Sequence, residues 1–166
     1  ETDVVIIPSE CQNYPLIKTD ITVNTLSNLV GGSISFSGAN LTVTNAFANF
    51  GAFNLGIDDV LKFSGTGEQL VDLGNMSYRR ITIDKTEGSI NFTNGFSADH
   101  FIARTTTPLS LFFAEGSVVD VDHLVLYGLA GESGAYNNLL TIGSTGTWYL
   151  KATDCHHIRG VNLSNC

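Results

Sequence analysis

Asp120, Asp122 and His123 are the residues whose types and spacing come closest to a site for chemistry. Alternate residues of a β-strand point to the same face, so the segment VDVDH (119–123) places the two carboxylates side by side. Two neighbouring carboxylates beside an imidazole could bind a cation or activate a water molecule. The alternation of valine and aspartate is also typical of a half-exposed strand whose acids face solvent, and we favour that interpretation.

Two other segments contain residue types that could bind a metal or transfer a proton. The segment DCHH (154–157) has a cysteine and two histidines, but adjacent strand residues point to opposite faces and cannot converge on one ion. Asp58 and Asp59 lie in a glycine-containing segment that predicts a loop. We therefore expect no catalytic residue, no metal site and no cofactor.

The chain has three cysteines, Cys11, Cys155 and Cys166, so at most one disulfide can form within it. Cys155 and Cys166 flank a predicted strand-turn-strand and could face each other in an oxidising compartment, which makes this pair a possible disulfide. The alternative is three buried thiols that pack as small hydrophobic side chains.

The elements that must position these residues are predicted to be short strands. No stretch has apolar residues at helical spacing without interruption by glycine, asparagine or β-branched residues. Short alternating segments that end in glycine, asparagine or serine recur instead, which predicts an all-β protein. Examples are ITV (21–23), SISF (33–36), LTVT (41–44), LKF (61–63), ITI (81–83), SINF (89–92), VDVD (119–122), LVLY (124–127), LTI (140–142) and WYL (148–150).

Internal similarity favours stacked coils over a β-sandwich. GSISF (32–36) returns as GSINF (88–92), and LKFSGTG (61–67) is echoed by LTIGSTG (140–146). An antiparallel β-sandwich is the alternative, but it would favour longer strands and two-residue hairpin signals, of which NG (94–95) is one. We predict a parallel β-solenoid, with inward apolar residues stacked from coil to coil.

A phenylalanine recurs at every third position in AFANFGAF (46–53). This spacing does not fit one face of a regular strand, so we expect some of these rings at bends. We predict that Phe47, Phe50 and Phe53 fill the core, with an exposed contact surface for self-assembly as the alternative.

Length and charge limit the classes of function. A chain of 166 residues predicts one domain, and the low charged fraction of 14% argues against disorder. The chain has 8 basic and 16 acidic residues, and its net charge of −8 makes nucleic acid and anionic membranes poor partners. No apolar run approaches the roughly 20 residues of a membrane span. The opening ETD (1–3) predicts a processed or trimmed terminus.

Two segments resemble repeats of secreted bacterial surface proteins. The stretch from FSGTGEQ (63–69) to ITIDKTEGSINF (81–92) resembles a repeat with the pattern F-x-G-T-G-x-Q and then L-T-I-x-K-x-x-G-x-V-x-L. The tail TWYLKATDCHHIRGVNLSNC (147–166) resembles the pectate-lyase-like coil V-x-Y-V-x-V-x-N-S. This resemblance implies a right-handed parallel β-helix in an extracellular, adhesin-like or filament-forming protein, often as a piece of a longer chain.

The first residues are expected to differ in role from the coils that follow. We predict a segment 1–20 that precedes a β-solenoid domain over 21–166. Within it, the strand Val4-Val5-Ile6-Ile7 could cap the first coil. Alternatively, this strand could be donated to a neighbouring subunit as an assembly strand.

The expected function is that of a non-catalytic structural or adhesive module, secreted or at the cell surface, whose subunits could form a filament. We expect its partners to be copies of itself, other surface proteins or glycans. We expect no binding to nucleic acid and no insertion into a membrane. The alternative is a polysaccharide-binding or polysaccharide-cleaving β-helix, for example in a phage fibre. Cleavage predicts a carboxylate cluster beside a groove and a loss of activity when Asp120 or Asp122 becomes Asn.

Overall fold

The computed structural model describes residues 3–128 and 139–166, apart from the side chain of Cys155. Within these ranges the chain is all β, and it contains no helix of a length and apolarity that could span a membrane. The strands in chain order are β1 (Val4–Ile7), β2 (Leu16–Ile17), β3 (Ile21–Asn28), β4 (Ser33–Phe36), β5 (Leu41–Asn49), β6 (Ala52–Asn54), β7 (Leu61–Gly65), β8 (Glu68–Asp72), β9 (Ser77–Lys85), β10 (Ser89–Phe92), β11 (Phe96–Thr105), β12 (Leu109–Phe113), β13 (Val118–Gly128), β14 (Leu140–Gly143), β15 (Tyr149–Arg159) and β16 (Val161–Leu163).

The strands stack into a parallel β-solenoid of about seven turns. Every strand pair among the described residues is parallel, and each strand pairs with strands of the preceding or following turn. The prediction of an all-β parallel β-solenoid is confirmed. The antiparallel β-sandwich is wrong, because its hairpins would require antiparallel neighbours.

Each complete turn contributes a segment to three faces of the solenoid, as the strand registers show. Face 1 consists of 21–23, 41–43, 61–65, 81–85, 101–105, 124–128 and 156–159. Face 2 consists of 4–7, 25–28, 46–49, 68–72, 89–92, 109–113, 140–143 and 161–163. Face 3 consists of 16–17, 33–36, 52–54, 77–80, 96–100, 118–123 and 149–155.

The core is built from columns of inward apolar residues. On face 1, Ile21, Leu41, Leu61, Ile81 and Phe101 occupy equivalent positions at 20-residue intervals. All but Ile21 are essentially inaccessible to solvent. Because alternate strand residues point inward, each turn buries two or three side chains per face against the turns above and below.

Aromatic rings run through this core in an almost continuous series. Neighbouring centroids are between 4.6 and 6.4 Å apart along the path. The path is Phe36, Phe53, Phe47, Phe63, Phe92, Phe113 and Trp148. Ring contacts of this kind stabilise a core beyond the burial of their area, so this series is expected to contribute to the stability of the solenoid.

The three phenylalanines of 46–53 differ in their environment. Phe47 is buried and Phe53 is half-buried against the core, which confirms their prediction as core residues. Phe50 lies in the turn after β5 and is 44% exposed, so its prediction as a core residue is wrong. The turn from face 2 to face 3 directs this ring outward.

The turns between faces are held by backbone-binding side chains and by glycine. Asp59 lies in the loop between β6 and β7, as the sequence predicts. Its side chain is buried there, and the carboxylate accepts hydrogen bonds from the amides of Ala39 and Gly56. Gly88 has φ +86° and lies against the carbonyl oxygens of Thr66 and Gly67 in the preceding turn. A side chain there would clash with both, so this corner requires glycine.

The backbone ladder on face 3 is interrupted once. Strands β2, β4 and β6 form their own three-stranded sheet, and β6 is not paired with the segment 77–80 of β9. The Phe53 and Tyr78 rings still contact each other across this junction, with centroids 5.7 Å apart. Side chains therefore connect the N-terminal and C-terminal halves of face 3.

The described part of the N-terminal segment takes part in the first turn. Strand β1 pairs in parallel with β3, and β2 pairs in parallel with β4. The inward residues are Val5 and Ile7, whereas Val4 and Ile6 point to solvent. The boundary at residue 20 and the capping or donated role of 4–7 stay predictions.

Candidate functional site

The polar residues of chemical interest gather on the outer surface of face 3. Val119 and Val121 are buried, and Asp120 and Asp122 point outward on β13, as the alternating sequence predicts. Asp99 joins them from the preceding turn, and together these carboxylates line a shallow cleft of about 220 Å³. This patch, defined by Asp99, Asp120, Asp122, His100 and His123, is the face 3 polar patch.

Each of the three carboxylates in the face 3 polar patch has a partner on an adjacent turn. Arg79 Nη1 lies 3.0 Å from Asp99 Oδ2, and Lys151 Nζ lies 2.8 Å from Asp120 Oδ2. Asp122 accepts a hydrogen bond from Thr153 Oγ1 at 2.7 Å. These pairs follow from the register, because Ser97, Asp120 and Lys151 are aligned across consecutive strands. Their exposure to solvent limits each ion pair to about 0–1 kcal/mol.

Two histidines stack at the corner between faces 3 and 1. The His100 and His123 rings are 4.5 Å apart and nearly parallel. His123 Nε2 also lies 3.4 Å from Asp154 Oδ2. Partial burial lowers the pKa of His100, and His123 and Arg80 lower it further, while Asp99 and Asp122 partly oppose them.

This depressed pKa predicts a loss of stability in acid. The unfolded chain binds a proton at His100 near pH 6.5, whereas the folded chain binds it at a lower pH. The contribution of neutral His100 to the free energy of unfolding is therefore fully present above about pH 6.5. It is lost as the pH falls through the lowered pKa. We expect the melting temperature to fall less between pH 7 and pH 5 in His100→Gln than in the unaltered chain. Thermal melts followed by circular dichroism test this expectation. The difference in melting temperature between the two proteins at pH 8 serves as the baseline. An equal fall of the melting temperature in both proteins would contradict the prediction.

The other residues singled out in the sequence do not join this patch. Asp58 and Asp59 lie in the loop before β7, and Asp59 binds backbone amides there. The segment 154–157 lies within β15, and no group of three or more His, Cys, Asp or Glu side chains among the described residues is placed to hold a metal ion. Cys11 is half-buried and Cys166 is exposed, and the side chain of Cys155 lies outside the described residues. The Cys155–Cys166 disulfide stays a prediction.

The sequence analysis did not predict three residues of this surface, because each of them interacts with a partner on another turn. These residues are Arg79, Asp99 and Lys151. The signal that could have found the first pair is the 20-residue interval from Arg79 to Asp99, which equals the interval between core residues on face 1. The same interval separates Ser77 from Ser97 and is registered across β9 and β11. A search for equivalent positions at this interval would have predicted the alignment.

A second surface of interest lies on face 2 near the N-terminus. Val4 and Ile6 of the first turn are 61% and 59% exposed and form a low apolar ridge. A groove of about 440 Å³ follows on the next two turns, and Leu70 and Phe50 form its far side. Small residues form its floor, namely Thr25, Ser27, Ala46 and Ala48, and Asp72 and Thr93 line one end. We call these residues together the face 2 ridge and groove.

No family model matches the chain, and neither a curated protein nor a solved structure matches it. The class that the fold itself defines is a parallel β-solenoid.

Proposed function

We propose that this chain is a non-catalytic structural or adhesive module, secreted or at the cell surface, that associates with copies of itself. The observation that carries this proposal is the face 2 ridge and groove. A ridge beside a groove of similar chemistry on one surface is what two-fold packing of identical subunits requires, because the ridge of each copy can enter the groove of the other. The same surface could also hold another surface protein.

The chemistry of the groove supports a dry protein contact. Alanine, serine and threonine on the second and third turns leave space between the taller side chains Ile6 and Leu70. Strands of neighbouring turns are about 4.8 Å apart, so the floor of two turns is wide enough for an incoming row of side chains. Exposed apolar patches of this kind mark contact sites more often than they serve the isolated fold.

The face 3 polar patch supports binding or structure rather than cleavage. A general acid must hold a proton near neutral pH, which requires a carboxylate that is desolvated or close to a second negative charge. Asp99 and Asp120 instead face Arg79 and Lys151 directly. The side chains of Asp99 and Asp120 are 44% and 37% exposed, so neither carboxylate is desolvated as a general acid requires.

Self-association is tested by placing a charge in the face 2 ridge and groove. We expect the unaltered chain to form dimers in sedimentation equilibrium at micromolar concentrations. Ile6→Lys and Ala46→Lys should weaken the dimer at least about tenfold, because each buries an unpaired ammonium group at the contact. Ala46 is paired with Thr25 and Leu70 on the neighbouring strands, so neither direct neighbour is a carboxylate. Ile57→Lys is the matched control, since Ile57 is 75% exposed in the loop before β7.

The outcomes separate the possibilities for this surface. Dimers that are lost in Ile6→Lys and Ala46→Lys but kept in Ile57→Lys would support the proposal, and electron microscopy would show whether the pairs extend into filaments. An unaltered chain that stays monomeric at 100 micromolar (roughly the top of the useful range) would contradict it. Dimers that persist in all three variants would place the contact elsewhere and would also contradict it.

A further inference from the structure

A cleft of about 460 Å³ lies on the outer surface of face 1, near its C-terminal end, away from the face 2 ridge and groove. Its lining residues come from β11, β13 and β15, three consecutive turns of this face. They are Arg104, Val125, Tyr127, His157 and Arg159. We call this the arginine cleft.

The register aligns its polar residues in one row. Arg104 is paired with Tyr127, and Tyr127 is paired with Arg159. Adjacent strands are about 4.8 Å apart, which places the two arginine Cα atoms about 10 Å apart with the tyrosine between them. Both side chains are long enough for their guanidinium groups to approach one group held above Tyr127. Val125, on the neighbouring outward row, adds an apolar surface.

Within residues 3–128 and 139–166, no carboxylate forms an ion pair with Arg104 or Arg159, the two arginines of the cleft, although the protein has twice as many acids as bases. The nearest carboxylate along the row, Asp84 on β9, is held by Lys62 at 3.0 Å. The two guanidinium groups carry like charges on either side of Tyr127 and therefore repel each other. An anion between the arginines would remove the repulsion.

We propose that the arginine cleft binds a phosphate monoester. A guanidinium group donates paired hydrogen bonds that fit a phosphate or a carboxylate, and two such groups match the charge of about −1.5 to −2 that a phosphate monoester carries. A single carboxylate, with one negative charge, would leave one arginine uncompensated. The Tyr127 hydroxyl is a further donor, and its ring with Val125 offers a surface for the group that carries the phosphate.

Calorimetric titration of the full chain tests the ligand class. The probes are inorganic phosphate, glucose 6-phosphate, glucose and glucuronate. We expect both phosphates to bind and both phosphate-free sugars to bind at least about tenfold more weakly. Tighter binding of glucose 6-phosphate than of inorganic phosphate would assign the site to the ester of a sugar, and equal binding would assign it to the phosphate group alone. Glucuronate that binds as well as glucose 6-phosphate would overturn the choice of phosphate, and the lack of binding by either phosphate would overturn the site.

Charge-removing variants locate the binding. Arg104→Gln and Arg159→Gln should each weaken glucose 6-phosphate at least about tenfold, because charged hydrogen bonds are lost. Arg79→Gln on face 3 is the matched control, since it removes the same charge from an arginine that is 55% exposed. Equal weakening in all three variants would indicate a general charge effect and overturn the site. Ile6→Lys should bind glucose 6-phosphate normally, which separates this proposal from self-association through face 2.

Discussion

Replacing Phe92 by alanine is expected to lower the free energy of unfolding by about 4 kcal/mol. Phe92 is buried, and its ring stacks on Phe113 with centroids 4.9 Å apart and an angle of 7° between the planes. It also contacts Phe63 and Phe101 on face 1 and Phe96 on face 3. Removing this ring leaves a cavity that the surrounding strands cannot close without losing their ladder hydrogen bonds.

The loss at Phe92 should appear as a decrease of about 10 °C in the melting temperature. Urea denaturation followed by circular dichroism gives the free energy directly. Phe112→Ala is the matched control, because Phe112 lies on the next strand of the same face but points outward and is 42% exposed. We expect that control to cost less than about 1 kcal/mol. An equal decrease in the free energy of unfolding in the two variants would show that the buried ring series contributes no more to stability than an exposed ring does.

The alternation of the sequence was enough to predict many of the strands, but strands such as β6, β8, β11 and β12 were not predicted. In β13, the buried valines and outward aspartates follow the period of two without an exception between Val118 and Asp122. Alternation reports only on the strand itself, since a side chain's direction depends on its own backbone. This is why fold class and facing direction were predictable from single segments.

The repeat length was harder to recognise from the sequence. GSISF (32–36) and GSINF (88–92) look alike, but the structure places them on face 3 and face 2. LKFSGTG (61–67) begins on face 1 and LTIGSTG (140–146) begins on face 2. The repeat that determines the stacking is the 20-residue interval from 21 to 101, which is marked only by an apolar residue at each position. Any apolar residue fills such a position, so the residues themselves vary.

The contacts between turns were the least predictable part of the candidate sites. Later turns are longer, with 23 positions from Phe101 to Leu124 and 32 from Leu124 to His156. These insertions shift which residues become neighbours, so the pairing of Asp120 with Lys151 and of Tyr127 with Arg159 does not follow from a fixed interval. The arginine cleft depends on both insertions, and the sequence alone does not show it.

Asn49 joins the two halves of the solenoid at the place where the face 3 ladder is interrupted. Its side chain accepts a hydrogen bond from Asn28 Nδ2 at 2.7 Å and donates one to the Tyr78 hydroxyl at 2.9 Å. The Tyr78 hydroxyl in turn donates to the carbonyl of Leu73. Both asparagines are completely buried, and burial raises the pKa of Tyr78, so the hydroxyl stays protonated and able to donate.

Asn49→Ala should therefore cost about 2–4 kcal/mol, because it breaks two buried hydrogen bonds and leaves a space beside Tyr78. Asn54→Ala is the matched control, since Asn54 is exposed and makes one hydrogen bond, to Ser35 Oγ at 3.2 Å. We expect this control to cost about 0.5 kcal/mol or less.

Amide hydrogen exchange distinguishes a role at the junction from a general loss of stability. No ladder bonds connect β6 to residues 77–80, so the side-chain network is the polar connection there, and its loss should increase exchange at 52–54 and 77–80 first. Strand β13, two turns beyond β9 along face 3, should keep its protection in Asn49→Ala. Exchange that increases equally at β6, β9 and β13 would mean that the solenoid opens as one unit and that Asn49 is not specific to the junction.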